Sequence, residues 1–339
     1  MRSERAVTLS DVANRAGVSL TTASKAINGQ GRISPKTRDR VLVAARELSY
    51  TPNSIARSLI SGRSGNVGLV TVDSLTHRFA MPILLGAEEA LSEIDLSLTV
   101  GDARGSASRL RAIVDRFRER KVDGILVVGD NNAPTPGIAP TGPPLAYVYG
   151  EPRGSGVVHV PDDRGGAEAA VSHVVATGRR RIAVITGPPA GRSVVRRGLG
   201  IRAALDRHGL ELVEPATHVQ WSQQSARRAA RRLLELHPDI EAIVCGSDQL
   251  AAGAAEAVRD SGRRIPDDVA VTGYDNWPVF ALETDPPLTT VDMNLELLGS
   301  AAVRDLFGMI DGRPVGKGVR LHECTLVVRE STSGPTNEA

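Results

Sequence analysis

Two charged residues just beyond apolar runs carry most of the chemistry in the longer part of this chain. Asp275 closes "VAVTGYD" (269–275), and Arg197 sits in "SVVRRGLGI", shortly after "RIAVITG" (181–187). A carboxylate and a guanidinium at strand ends can together clamp vicinal hydroxyls, and the guanidinium alone can take a carboxylate through two parallel hydrogen bonds. Trp221 in "VQWS" offers a ring face on which a sugar can stack, with Phe79 to close the other side. Ser247 and Asp248 follow the run "EAIVCG" (241–246) and add polar groups, and Tyr149 ends "LAYVY" (145–149). Some of these residues carry a second reading. Arg197 beside Arg196 also suits a solvated helix face, Asp248 the cap of the next helix, and Phe79 and Tyr149 a pocket wall or core.

Other chemistries find no matching pattern in the sequence. The seven histidines are scattered without metal-ligand spacing, so neither a metal nor a cofactor is expected. "GDARGSASR" (101–109) has neither the strand-to-helix context nor the lysine of a phosphate loop. Cys245 and Cys324 both lie in apolar stretches, where reduced, buried thiols are expected rather than a disulfide.

These residues need a frame to position them. From Asn66 onward short apolar runs alternate with amphipathic segments. "VGLVTV" (67–72), "LSLTV" (96–100), "GILVVG" (124–129) and "LAYVY" read as one set of buried parallel strands. "RIAVITG", "EAIVCG" and "VAVTGYD" form a second set, with helical stretches such as "PILLGAEEALSE" and "ARRAARRLLELH" between them. Such alternation predicts two parallel α/β lobes, with a ligand cleft at the C-terminal strand ends. "APTPGIAPTGPP" (133–144) reads as a surface loop.

The first 63 residues differ in kind. They hold eleven Lys/Arg against four Asp/Glu, a net +7, whereas the 30 basic and 35 acidic residues that follow give −5. A basic head on an acidic body points to a polyanion as partner of the head alone. Within "TLSDVANRAGVSLTTASKAIN" (8–28), Thr8 and Asp11 form an acidic capping box, Gly17 suits a left-handed helix end, and Ser19 can cap a second helix. That helix, Leu20 to Ile27, buries Ala23, Ala26 and Ile27 and leaves Thr21, Thr22, Ser24 and Lys25 available. A third opens with Ser34 and Pro35 and runs to about Leu48. Two short helices meeting at a tight turn through small residues predict a helix-turn-helix, whose second helix enters the major groove of DNA.

With "ISPKTRDRVLVAARELSYTPNSIARSL" following it, this segment resembles the DNA-binding head of the LacI/GalR family of bacterial transcriptional regulators, without a gap to about residue 60. The resemblance implies base reading by Leu20, Thr21 and Lys25, with Thr22 and Ser24 on phosphates. Lys25 stands where the family more often has Arg or His, and a lysine is a point charge rather than a planar fork. "YTPNSIARSLISG" (50–62) matches the family's hinge helix, about 53–61, in which Ala56 and Leu59 enter the minor groove and Leu59 is the apolar wedge. More loosely, "VPDDRGGAEAAVSHVVATGRRRIAVITGP", "SDQLAAGAAEAVRDSGRRIPDDVAVTGYDN" and "PPLTTVDMNLELLG" extend the likeness to about residue 330. "SLTHRFAMPILLG" departs from the family's usual Asn-Pro-Phe-Phe stretch, and Ala80 stands where an aromatic is common.

The fold expected is an all-α helix-turn-helix head plus hinge helix over 1–62, joined to a two-lobed, periplasmic-binding-protein-like α/β body with parallel sheets over 63–339. The first lobe would take about 63–160 and 293–322, the second about 163–290 and 323–331. The function implied is a sequence-specific, homodimeric DNA-binding repressor, with double-stranded DNA bearing a roughly palindromic operator as partner and a small, sugar-like effector. No apolar run reaches the ~18–20 residues of a membrane helix, and no leader-like h-region opens the chain, so a cytoplasmic protein is expected. Two other classes fit the body: control by a partner protein or non-sugar metabolite, and an enzyme acting on sugars or nucleosides. The second lacks a phosphate loop, a Ser/His/Asp arrangement and an acidic metal cluster.

Overall fold

The computed structural model describes residues 7–27, 31–50 and 63–333. The chain divides between Gly65 and Asn66 into two units, each with its own core.

The small unit is three helices: α1 (Leu9–Ala16), α2 (Leu20–Ile27) and α3 (Pro35–Glu47). Local chemistry sets the start of each helix and the end of α1. The Thr8 side chain accepts from the Asp11 N–H, while the Asp11 carboxylate accepts from the Thr8 N–H at 2.8 Å. Gly17 ends α1 at φ 62°, where a side chain would be strained. Ser19 Oγ accepts from the Thr22 N–H at 3.1 Å, and Ser34 Oγ from that of Thr37 at 3.2 Å, just ahead of Pro35. The core is Val12, Ala13, Ala16, Ala23, Ala26, Val41 and Ala44, and its alanines let the helices cross closely. Ile27, expected inside, is only partly buried. The hinge helix expected over about 53–61, with Ala56 and Leu59, lies outside the described residues.

The larger unit holds two parallel sheets. The first is formed by β1 (Asn66–Thr71), β2 (Ser97–Asp102), β3 (Gly124–Val128), β4 (Leu145–Val148), β5 (Val157–Pro161) and β11 (Gly318–His322), in the order β11-β5-β4-β3-β1-β2. The second is β7 (Thr217–His218), β6 (Ile182–Thr186), β8 (Ala242–Cys245) and β9 (Ala270–Thr272), in that order. Helices α4 (Ala80–Ser92), α5 (Ala107–Glu119) and α11 (Leu295–Ile310) pack against the first sheet. Helices α6 (Asp163–Ala176), α7 (Arg192–His208), α8 (Gln223–Leu236) and α9 (Asp248–Asp260) cover the second, and α10 (Pro278–Ala281) is a single turn. Strands covered on both faces are continuously apolar, as β3 and β6 are. Helix pairs approach to backbone contact at glycines: a Cβ on Gly86 of α4 would lie 1.9 Å from the Glu296 carbonyl oxygen of α11.

Three expectations need correction. The run "LSLTV" forms β2, but as a half-exposed edge strand rather than a buried one. "VAVTGYD" is a strand only to Thr272, so Asp275 stands in the loop beyond it, at φ 105°. Strands β5 and β11, absent from the apolar runs singled out, complete one side of the first sheet.

The chain passes between the sheets three times: after Pro161, between β10 (Thr290–Asp292) and α11, and between β11 and β12 (Thr325–Val327). These passages lie side by side. Pro161 pairs with His322, the Asp162 N–H donates to the His322 carbonyl at 2.7 Å, and β10 runs antiparallel to β12 with Asp292 opposite Thr325. Asn294 closes the group through its side-chain amide, which donates to the Glu323 carbonyl at 3.0 Å.

Candidate functional site

The C-terminal ends of both sheets in the larger unit converge on one cavity of ≈ 270 Å³. Phe79, Tyr149, Arg197, Trp221 and Asp275, all expected there, line it together. Phe79 immediately precedes α4, and its ring centroid lies 5.1 Å from that of Tyr149. Tyr149 follows β4 with φ 61°, an unusual conformation for a bulky residue, and Asp275 is a second such outlier. Trp221 leans on the bare backbone of Gly187 after β6, where a Cβ would come within 2.1 Å of the indole.

Arg197 points inward from α7 and is almost fully buried. Its Nε donates to Asp163 Oδ1 at 2.8 Å and its Nη1 to the Gly246 carbonyl at 2.6 Å, and its plane lies over the Tyr274 ring at 3.6 Å. Burial opposes its charge, but Asp163, Tyr274 and Asp275 outweigh that and hold its pKa above the ordinary value. The fork is therefore engaged by the protein, which removes the option that Arg197 takes a ligand carboxylate bidentately. Asp275 is buried too. Its Oδ2 accepts from Arg78 Nη2 at 2.6 Å, while Oδ1 lies 3.7 Å from Arg197 Nη1 and has no hydrogen-bond partner. Burial raises its pKa, against the pull of Arg197 and Arg78.

Ser247 and Asp248 do not line the cavity; they are structural. Ser247 caps α9, its Oγ accepting from the Leu250 N–H at 3.2 Å. The Asp248 carboxylate is fully buried and accepts from the Trp277 N–H at 2.6 Å and from the Thr290 hydroxyl. Burial, then the nearby Asp275 charge, pushes its pKa up to about 8. The next residue, Gln249, faces the cavity instead.

Arg78, His77, Asn132, Ser193 and Gln249 line the cavity without having been singled out. The signal for Arg78 was its place beside Phe79 in a loop that follows a strand end; the others carried none. The guanidinium carbon of Arg78 lies over two rings, 4.2 Å from the Phe79 centroid and 4.7 Å from that of Trp277. Three further contacts join the lobes: Ser193 Oγ donates to Asn132 Oδ1 at 2.6 Å, Asn131 Nδ2 donates to Asp163 Oδ2 at 2.7 Å, and Arg192 and Arg196 both donate to the Glu151 carboxylate.

In the small unit, α2 presents its outer face as expected. Leu20 is 53% exposed, Thr21 and Lys25 are exposed, and Thr22 and Ser24 half-buried. Residues 8–53 match the model of the bacterial regulatory proteins of the lacI family, and residues 171–332 that of the periplasmic binding protein-like domain. The chain is 36% identical to the HTH-type transcriptional regulator CelR of Thermobifida fusca, over 98% of this chain and all of that one. It belongs to the lacI family of bacterial regulatory proteins. Its relatives in that family include the transcriptional repressor CytR of Escherichia coli, 30% identical over 98% of both chains. The solved complex of CelR with cellobiose superposes with a TM-score of 0.65, at 33% identity over 96% of this chain and 99% of that one. The lac repressor dimer bound to operator and an anti-inducer gives 0.73, at 28% identity over 97% and 99%. As a lacI-family member the chain is a DNA-binding transcriptional regulator, with a helix-turn-helix unit and an α/β body of parallel sheets. Among the described residues, no helix is long and apolar enough to cross a membrane.

Proposed function

We propose that this regulator is a cytoplasmic homodimeric repressor whose affinity for a roughly palindromic operator is set by a small carbohydrate held in the cleft. The observation that carries the reading is the union, in one cavity, of a buried carboxylate with a free oxygen (Asp275), a fixed guanidinium (Arg197) and three aromatic walls (Phe79, Tyr149, Trp221). Carbohydrates offer hydroxyl edges to the first two and apolar ring faces to the third. The CelR–cellobiose complex and the operator-bound lac repressor dimer support it by analogy. Two heads on a two-fold axis call for a palindromic site. Allostery follows if the carbohydrate and DNA favour different arrangements of the two lobes, a coupling of about 1–3 kcal/mol.

In this reading Leu20, Thr21 and Lys25 read bases, Thr22 and Ser24 hold phosphates, and Ala56 and Leu59 occupy the minor groove. The test is a gel-shift titration of DNA flanking the gene, with and without a saccharide panel, on the full chain and on Thr21→Ala and Lys25→Ala. A saccharide should alter operator affinity, and each variant should change preference at particular half-site positions by about 1–3 kcal/mol. Uniform weakening over all operator variants would assign both side chains to phosphates, and an operator complex indifferent to every saccharide would refute the effector reading.

A further inference from the structure

We infer that the cleft selects an uncharged, polyhydroxylated effector, and that Arg78 is the residue that sets this selectivity; the inference rests on the carbohydrate reading above. Arg78 and Arg197 face Asp275 and Asp163, two positive charges against two negative ones in contact distance. The cluster is thus balanced before any ligand enters. An added anion would compete with Asp275 for Arg78, and would also approach Asp73 and Asp130 in the small pocket that adjoins the cleft at Phe79 and Tyr149. An added cation would meet two guanidinium groups. Beside groups as buried as Asp275 and Arg197, either mismatch costs far more than at a surface.

The unfilled atoms point the same way. Asp275 Oδ1 is a buried acceptor with no donor, and Arg78 Nε is a buried donor with no acceptor. A hydroxyl group supplies both without bringing a charge, donating to the carboxylate and accepting from the guanidinium. Arg78 can hold this role because it packs over the Phe79 and Trp277 rings, while the Asp275 side chain is only 2% exposed and cannot turn to water.

The test is calorimetric titration of the full chain with three matched sets of mono- and disaccharides in gluco, galacto and xylo configuration. One set is neutral, one oxidised to the aldonic acids, and one carries a 2-amino group where the sugar allows. Wild type should bind a neutral member at least about tenfold more tightly than its charged analogues. Arg78→Gln, which leaves the cluster one positive charge short, should shift the ratio by about tenfold or more towards the amino sugars, and Arg78→Lys should keep the wild-type order. Acidic and neutral analogues binding wild type equally would overturn the inference without recourse to any variant. So would an unchanged order in Arg78→Gln, with the carbohydrate reading intact. If no saccharide binds wild type, both fall together.

Discussion

Arg78 and Asp275, 197 positions apart in the chain, meet at 2.6 Å across the cleft, one from the loop after β1 and the other from the loop after β9. With Asn132–Ser193 and Glu151–Arg192/Arg196, this pair joins the two lobes through polar groups at the cleft, beside an apolar cluster that runs from Leu69 and Leu126 to Ala167 and Tyr274. Such contacts exchange readily for those of a hydroxylated ligand. At the cleft itself the lobes are therefore held by bonds of the same kind that a ligand offers.

Glu151 gates this arrangement without lining the cavity. Glu151→Gln keeps the shape but leaves Arg192 and Arg196 without their shared carboxylate. The lobes should separate more easily, with amide exchange in the first turn of α7 rising by roughly fivefold to tenfold and global stability falling by about 1 kcal/mol. Unchanged exchange in that turn would show that the bridge does not hold the lobes.

Arg197 does structural service as well as facing the cleft. Arg197→Ala strands Asp163 in a buried site, and the expected loss is about 3–5 kcal/mol in urea denaturation. The double variant Arg197→Ala/Asp163→Asn should lose less than the sum of the singles. A stable single variant would return Arg197 to a purely ligand-facing role.

Gly187→Ala places a methyl where the Trp221 indole lies. The ring must move, so its fluorescence maximum should shift and saccharide affinity fall by an order of magnitude or more, while far-UV dichroism stays unchanged. Retained affinity with a displaced ring would show that Trp221 is not a stacking platform.

Acid should weaken the body through His159. Burial, then the neighbouring His322, lowers its pKa from 6.5 to about 4, despite Asp305 at 3.1 Å. The unfolded chain therefore binds more protons than the folded one between these values. Stability is full above about pH 6.5 and is lost as pH falls towards 4. His159→Gln should flatten this part of the stability–pH curve, as read from urea midpoints between pH 4 and 7, and an equally steep slope in the variant would assign the loss to other groups.

The head is small enough for one cap to matter. Thr8→Ala removes the capping box of α1 and should cost about 1 kcal/mol. The loss is best seen as a lower melting temperature of the small unit's own amide signals, with those of the body unmoved.

The head was legible because its signals are local. Thr8 with Asp11, Gly17, Ser19, and Ser34 with Pro35 each act within four residues. In the body, Arg197 and Asp275 stood out as charges just past apolar runs. Arg78 did not, because nothing near it in a polar loop reveals an acceptor 197 residues away. Ser247 and Asp248 suit a ligand-facing pair and a helix start equally in sequence; only the fold shows that Ser247 is the cap, that Asp248 turns to the Trp277 backbone and that Gln249 turns to the cleft. Strands β5 and β11 were hidden by His159 and by Arg320 with His322, polar residues that interrupt the apolar period.

The three chain passages between the sheets limit what motion is available. A single tether would let one half swivel and slide on the other. Three tethers in a row, cross-bonded through Asp162–His322, Asp292–Thr325 and Asn294–Glu323, behave as the spine of a book. They suppress translation and leave turning about one line as the soft coordinate. Whatever occupies the cleft is thereby transcribed into a single angle, and a surface spanning both covers can read that angle without touching the occupant.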